Sequence, residues 1–212
     1  MDCCASEIDR SGWWGSGMEW VVLLDQDGQV VGEQDKYVVH DGGTPLHLAF
    51  SCYVFSNSGH FLMSRRSLRK KTWPGIWTNS FCGHPAPGEA MTDAVHRRAS
   101  AELGLTLSNL RLVLPRFRYR AELDGVVENE MCPVYVARAV GDPVPNPDEV
   151  DRVDWVDWDS FRERARTDPA LSPWCRLQVD ELAGLGPVPG DWPTGDAAEL
   201  PPAARVAVAG HG

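Results

Sequence analysis

GHPAPGEAMTDAVHRRASAELGL, residues 83–105, is the stretch that decides the fold. It begins in a turn at Pro87-Gly88. Residues 89–103 then have helical composition and stop at Gly104, the residue type that best tolerates the left-handed conformation just past a helix C-terminus. Upstream, HLAFSCYVF (residues 47–55) is a β-rich run; Ser56-Asn57-Ser58-Gly59 and residues 60–64 complete a hairpin signal. Residues 20–25 read as a strand leading to an Asp27-Gly28 turn. Downstream, residues 111–122 and 126–137 flank Asp124-Gly125 as a second, long hairpin, with Pro133 expected at a bulge or edge. Residues 150–158 read as a further strand, followed by short helices over 160–166 and 173–183. Strands dominate around one central helix, so the expected class is α+β, an α/β sandwich.

The 212 residues suit one domain with generous ends. Residues 1–17 lack periodicity, and residues 184–212 are rich in Pro, Gly and Ala; both are expected to be disordered extensions of a working domain at 18–183. A formal charge of −10 argues against a nucleic-acid binder, whose phosphate contacts need a broad basic surface. No apolar run reaches the length of a membrane span, and the N-terminus lacks the basic-then-apolar order of a secretory signal. Six cysteines at 3, 4, 52, 82, 132 and 175 make no CxxC pair or regular framework, which suits the reducing cytoplasm.

Three groups of residues could carry chemistry. His40, His47 and His84 are half of all the histidines, and Glu128 and Glu130 stand two apart in VVENEM, on one face of a strand. Such a nitrogen/oxygen set favours a six-coordinate divalent ion, and the alternative is three unrelated histidines and two solvated glutamates. Cys82-Gly83-His84, if extended, sets Cys82 and His84 on one face; Cys82 is then either a reactive thiol or a small buried hydrophobe. The run SRRSLRKKTWPG packs Arg65, Arg66, Arg69, Lys70 and Lys71 into seven positions of an acidic chain, an anion clamp for a phosphorylated small molecule or a solvated face.

The opening stretch resembles the Nudix box, a loop–helix–loop that normally carries metal for diphosphate hydrolysis: Gly83, Glu89, Arg97, Glu102, Gly104 and Leu105 match its spacing. Arg98 and Ala101 replace two of its acids. That loss should cripple the usual multi-metal site, spare the scaffold and leave Glu102 as a single Mg²⁺ ligand. Beyond the box, QDKYVVH (34–40), PLHLAF (45–50), KTWPGIWTNSFCGHP (71–85), FRYRAELDGVVENEMCPV (117–134) and LSPW (171–174) resemble type I isopentenyl-diphosphate isomerases over residues 18–182.

The resemblance implies a Nudix-like fold, a mixed β-sheet flanked by helices, and the interconversion of isopentenyl and dimethylallyl diphosphate in isoprenoid biosynthesis. It implies that Cys82 and Glu130 are the catalytic pair, that Tyr119 bonds the glutamate, and that Trp174 faces the cationic carbon. It further implies a first divalent ion (Mn²⁺, Zn²⁺ or Mg²⁺) on His40, His47, His84, Glu128 and Glu130. A Mg²⁺ arriving with the diphosphate would use Glu102 and the backbone carbonyl of Cys82, and Lys36, Arg66, Lys70 and Arg98 would contact the diphosphate. The enzyme is expected to be a cytoplasmic monomer acting on a small-molecule prenyl diphosphate, with no nucleic-acid or membrane partner. Which of the pair adds the proton is not legible in the sequence; Glu130 donating at C4 and Cys82 abstracting at C2 is the favoured order, and it requires thiolate character. A Nudix hydrolase acting on a nucleoside diphosphate, and a silent diphosphate-sensing module, are the competing readings.

Overall fold

The computed structural model describes residues 19–205, so the expectation for residues 1–17 lies outside it. In chain order the elements are β1 (Trp20–Leu24), β2 (Val30–Asp35), α1 (Lys36–Val39), β3 (His47–Leu48), β4 (Phe50–Phe55), β5 (Phe61–Arg66), β6 (Trp77–Thr78), β7 (Phe81–Gly83) and α2 (Met91–Leu103). There follow β8 (Thr106–Leu114), β9 (Arg118–Leu123), β10 (Val126–Met131), β11 (Val134–Val140), β12 (Val150–Val156), α3 (Trp158–Thr167) and α4 (Pro173–Ala183). The smaller sheet has the order β2-β1-β3-β10-β9; the larger runs β12-β5-β4-β11-β8, with β6 added on β5 and β7 on β4. Both sheets are mixed, because β3/β10 and β4/β11 are parallel pairs.

The larger sheet is covered on both faces. Phe50, Cys52 and Val54 of β4 pack with α2 residues such as Val95, Ala99 and Leu103. The alternate residues Tyr53 and Phe55 pack with Phe161 of α3 and Val179 of α4. Two-sided burial explains why HLAFSCYVF shows no polar alternation: all six β4 positions are buried. No helix among the described residues is long and apolar enough to cross a membrane.

The long hairpin expected over residues 111–137 is two ladders in two sheets. β9 pairs β10 in the smaller sheet, whereas β8 pairs β11 in the larger. The arms break at Pro115 and Pro133, each without a backbone N–H to continue a ladder, and Cys132 N donating to Phe117 O (2.8 Å) stitches the crossing. Helix boundaries also move for local reasons. Glu89 is spent in the loop before α2, and Asp157 caps α3 by accepting from Ser160 N (2.9 Å), so Trp158 is helical rather than the end of a strand.

Residues 184–205 are a second correction, since they pack instead of trailing free. Trp192 is 2% exposed; its ring lies 5.3 Å from Trp158 and 6.1 Å from Phe55, and its Nε1 donates to Gly186 O (2.9 Å). Leu200 and Ala204 join the core on the α2 side. The composition does forbid a long element, and only short 3-10 turns form at Pro189–Asp191, Ala197–Glu199 and Pro202–Ala204. A few apolar side chains suffice to anchor such a segment when they find preformed pockets. Residues 206–212 lie outside the described structure.

Candidate active site

The site lies in the seam between the sheets. β3 and β4 are consecutive but belong to different sheets, and so are β10 and β11. In the smaller sheet Glu130 is in register with His47 on one side and Tyr119 on the other. In the larger sheet Ser51 of β4 is in register with Cys82 of β7.

His40, His47, His84 and Glu130 each bring a ligating atom to within 4.8 Å of the others. The imidazole centroids are 5.1–5.7 Å apart. Glu128 stands at the edge of this group, its Oε2 3.1 Å from His40 Nε2. The fit to a divalent ion can be tested from the ring nitrogens. His47 Nδ1 is 2.9 Å from Pro45 O and His40 Nδ1 is 3.3 Å from Lys36 O. A carbonyl only accepts, so each Nδ1 carries a hydrogen and Nε2 is the atom directed at a carboxylate. Those Nε2 atoms are buried without an aligned hydrogen-bond partner among the described residues. Three imidazoles and a carboxylate with ligating atoms this close, two of the Nε2 atoms lacking an aligned partner, are a nitrogen/oxygen set that fits a divalent ion. Burial drives His84 down to about 3, which keeps its ring neutral as a ligand must be.

Glu130 divides its carboxylate. Oε1 faces His84 Nε2 (3.2 Å) and His47 Nε2 (3.4 Å), and Oε2 accepts from the Tyr119 hydroxyl (2.9 Å). Burial alone would raise its pKa, but the two histidines hold it well below the usual carboxylate range. Burial and the Glu130 charge push the Tyr119 phenol up, so it stays a donor. Across the seam the Cys82 thiol is half-buried, and burial lifts it to about 12 against the opposing Ser51 hydrogen bond. Burial thus favours the thiol form of Cys82, whereas the order favoured from sequence needs thiolate character once the substrate complex has formed. Ser172 caps α4 with Pro173 in the first turn, which directs Trp174 inward: its ring is 5.9 Å from Tyr119 and 5.2 Å from Trp73.

The basic run splits by direction. Arg65 and Arg69 pair with Asp151 and Asp148 at the surface, and Lys71 lies over the Tyr37 ring. Lys70 turns inward onto Glu149. Arg66 makes no ion pair among the described residues; it donates to Trp73 O (3.1 Å) and Thr72 O (2.9 Å), with its guanidinium 6.0 Å from the Trp174 ring. Lys36 binds Glu19, and Arg98 binds Glu102 through Oε1 as well as Glu19 (3.1 Å) and Glu149 (3.4 Å). Lys36, Lys70, Arg98 and Glu102 therefore form one charged group. A surface cleft of about 300 Å³ lined by Arg116, Arg118 and Leu200 shares none of these residues.

The central loop–helix is built as its spacing requires. Arg97 grips Glu89 with two bonds of 2.7 Å and also bonds His84 O (3.1 Å), tying the loop to the helix. Arg98 and Glu102 fall on the buried stripe of α2 with Ala94, Val95 and Ala99. Gly83 is required by close approach: a Cβ there would lie 2.7 Å from Arg98 Cγ and 2.9 Å from Phe50 Cζ. Sequence reasoning missed Glu19 and Glu149, which neutralise the basic group, and Ser51 and Asn79, which bond Cys82. A lone serine in an otherwise apolar strand was a usable signal for Ser51; nothing local marked the two glutamates.

Comparison with known proteins accords with this geometry. The Nudix domain family matches residues 45–177. An isopentenyl-diphosphate Delta-isomerase of Saccharopolyspora erythraea is 54% identical over 192 residues, 90% of this chain and 99% of that protein. Proteins of the same name from Mycolicibacterium vanbaalenii (56% identical; 79% of this chain, 94% of the other) and Rhizobium rhizogenes (46%; 90% and 92%) are also similar. Among solved structures, a Deinococcus radiodurans protein superposes with a TM-score of 0.61 at 19% identity, covering 77% of this chain and 98% of that one. A MutT protein of Methanosarcina mazei gives 0.52 at 20% identity, with 66% and 94% covered. These two structures share the fold.

Proposed function

The chain belongs to the isopentenyl-diphosphate Delta-isomerase family, built on a Nudix domain, and from that premise we propose how its own residues interconvert isopentenyl and dimethylallyl diphosphate. The alkene is unactivated. One proton must enter at C4, leaving positive charge at the tertiary C3, and one must leave C2 as the C2=C3 bond forms; the diphosphate ester and the net charge are unchanged. Cys82 and Glu130 are the pair that gives and takes these protons. Because the reaction is reversible, each serves as acid in one direction and base in the other. Two groups on opposite walls are needed, since a single group would take its own proton back. Tyr119 holds Glu130 in place, and Trp174 offers a π face to the cationic carbon, an attraction of about 2 kcal/mol when water is excluded.

His40, His47, His84 and Glu130, with Glu128 beside them, would hold a divalent Mn²⁺, Zn²⁺ or Mg²⁺, while Glu102 and the Cys82 carbonyl would hold a Mg²⁺ that comes with the diphosphate and offsets its charge. Arg66, Lys70, Lys36 and Arg98 bind the diphosphate, and Arg66 brings charge that no acidic side chain among the described residues already neutralises. The reading extends to a cytoplasmic monomer whose partner is this small ester rather than a nucleic acid or a membrane; the charge of −10 supports it, since an acidic chain repels polyanions.

The observation that supports the proposal most is a Glu130 bonded by Tyr119 (2.9 Å), with the Trp174 ring 5.9 Å from that tyrosine and the Cys82 thiol near enough to feel the Glu130 charge. The test is turnover of isopentenyl diphosphate with Mg²⁺ in D₂O. Wild-type protein should place solvent deuterium in the new methyl group, and Cys82→Ala should lose about 10²–10⁴-fold in kcat. Full isomerase activity and ordinary deuterium uptake in Cys82→Ala would overturn the assignment.

A further inference from the structure

We infer that Ser51, held by Gln178, is a positioning residue that aims its hydroxyl hydrogen at the Cys82 sulfur, while Asn79 accepts from the same sulfur. The inference deepens the proposed role of Cys82 and rests on it.

The Tyr53 hydroxyl donates to Gln178 Oε1 (3.0 Å), with the Cys175 carbonyl oxygen farther off at 3.4 Å. Gln178 Nε2 then donates to Ser51 Oγ (2.8 Å). The serine oxygen is occupied as an acceptor, so its own hydrogen points elsewhere, and the sulfur of Cys82 is 3.2 Å away. Cys132 Sγ lies farther off, at 3.4 Å. Asn79 Nδ2 donates to Cys52 O (3.1 Å) and Phe81 O (2.8 Å), which turns its Oδ1 toward other donors. It accepts from Thr78 Oγ1 (2.8 Å) and from Cys82 Sγ (3.2 Å).

Ser51, Asn79 and Gln178 are completely buried, where an unmatched polar atom is costly. A buried cysteine needs no such company in order to pack; it behaves as a small hydrophobe. Here three polar side chains sit in the core, and two of them touch the sulfur of the half-buried Cys82, each at 3.2 Å, with opposite hydrogen-bonding sense. A sulfur that alternately releases and regains a hydrogen keeps a directional partner at each stage, and it does not swing away from the cleft between the two transfers.

The test uses the full-length, metal-replete enzyme. Ser51→Ala should lower kcat about 10- to 100-fold, the loss expected for one hydrogen bond to a group that carries charge during turnover. KM for isopentenyl diphosphate and the bound-metal content should stay within about twofold of wild type. In a Cys82→Ala background the same substitution should change the residual rate by less than about twofold, because its target is gone. An unchanged kcat in Ser51→Ala overturns the inference, as does an equal fold-loss in both backgrounds, which a merely structural role would give. Should Ser51→Ala fail to fold for want of a partner for Gln178, Ser51→Ala/Gln178→Met removes both polar groups, and the same two outcomes decide. Full activity in Cys82→Ala alone refutes the catalytic reading itself and is distinguishable from either result.

Discussion

Gly83→Ala tests the packing that joins the catalytic loop to the diphosphate clamp. The added methyl would lie 2.7 Å from Arg98 Cγ and 2.9 Å from Phe50 Cζ, where 3.4 Å is ordinary contact. Both neighbours must give way, Arg98 by about 0.7 Å and Phe50 by about 0.5 Å. Phe50 is fully buried and meets Phe81 edge-on at 6.2 Å, so it has little room. Arg98 is held by Glu102 (3.0 Å), Glu19 (3.1 Å) and Glu149 (3.4 Å), and moving it disturbs the whole charged group. Overpacking of this kind costs about 1–3 kcal/mol, and at about 2–4 °C per kcal/mol for a domain of this size the melting temperature should fall by about 2–12 °C. Because Arg98 is assigned to the diphosphate and not to the proton transfers, KM should rise several-fold while kcat stays within about twofold. Differential scanning calorimetry and initial-rate kinetics read the two effects. A variant that melts with the wild type and keeps its KM would refute close approach as the reason for glycine here.

Arg66→Ala should raise KM for isopentenyl diphosphate with little change in melting temperature, since among the described residues Arg66 is hydrogen-bonded only to neighbouring carbonyls and the Thr72 hydroxyl; an unchanged KM returns it to a structural role. Trp192→Ala should cost about 3–5 kcal/mol in urea unfolding, as a buried aromatic does, and a loss below 1 kcal/mol would show that the 184–205 segment contributes nothing to the fold. Glu19 should make stability depend on acid. Burial alone would raise its pKa, but Lys36 and Arg98 bring it from 4.5 to about 2. A folded value below the unfolded one means stability that is present above about pH 4.5 and lost as pH falls toward 2. The gap in unfolding free energy between wild type and Glu19→Gln should therefore shrink over that window, and a gap that does not vary with pH would exclude charge as its origin.

By itself the sequence determined whatever depends on neighbours along the chain. The α2 helix and its end at Gly104 follow from composition and one glycine. Its spacing also turns Arg98 and Glu102 inward with Ala94, Val95 and Ala99, because helical period and apolar pattern are local properties. Glu128 and Glu130 are both buried on one strand for the same reason, the period of two. Long motifs of the PLHLAF and KTWPGIWTNSFCGHP kind carried the family resemblance, and with it the assignment of Cys82, Tyr119 and Trp174. The tertiary structure alone decided what depends on partners distant in sequence. The strand alternation of residues 111–137 runs through Pro115 and Pro133 without saying that the chain changes sheets there. That change opens the seam in which His40, His47, His84 and Glu130 converge, and no spacing among residues 40, 47, 84 and 130 encodes it. Glu19 and Glu149 find Arg98 from opposite ends of the chain, and Trp192 finds Trp158 and Phe55 from a segment whose composition promises no order. Charge pairing and apolar burial act through space, so their partners become definite only once the backbone has brought them together.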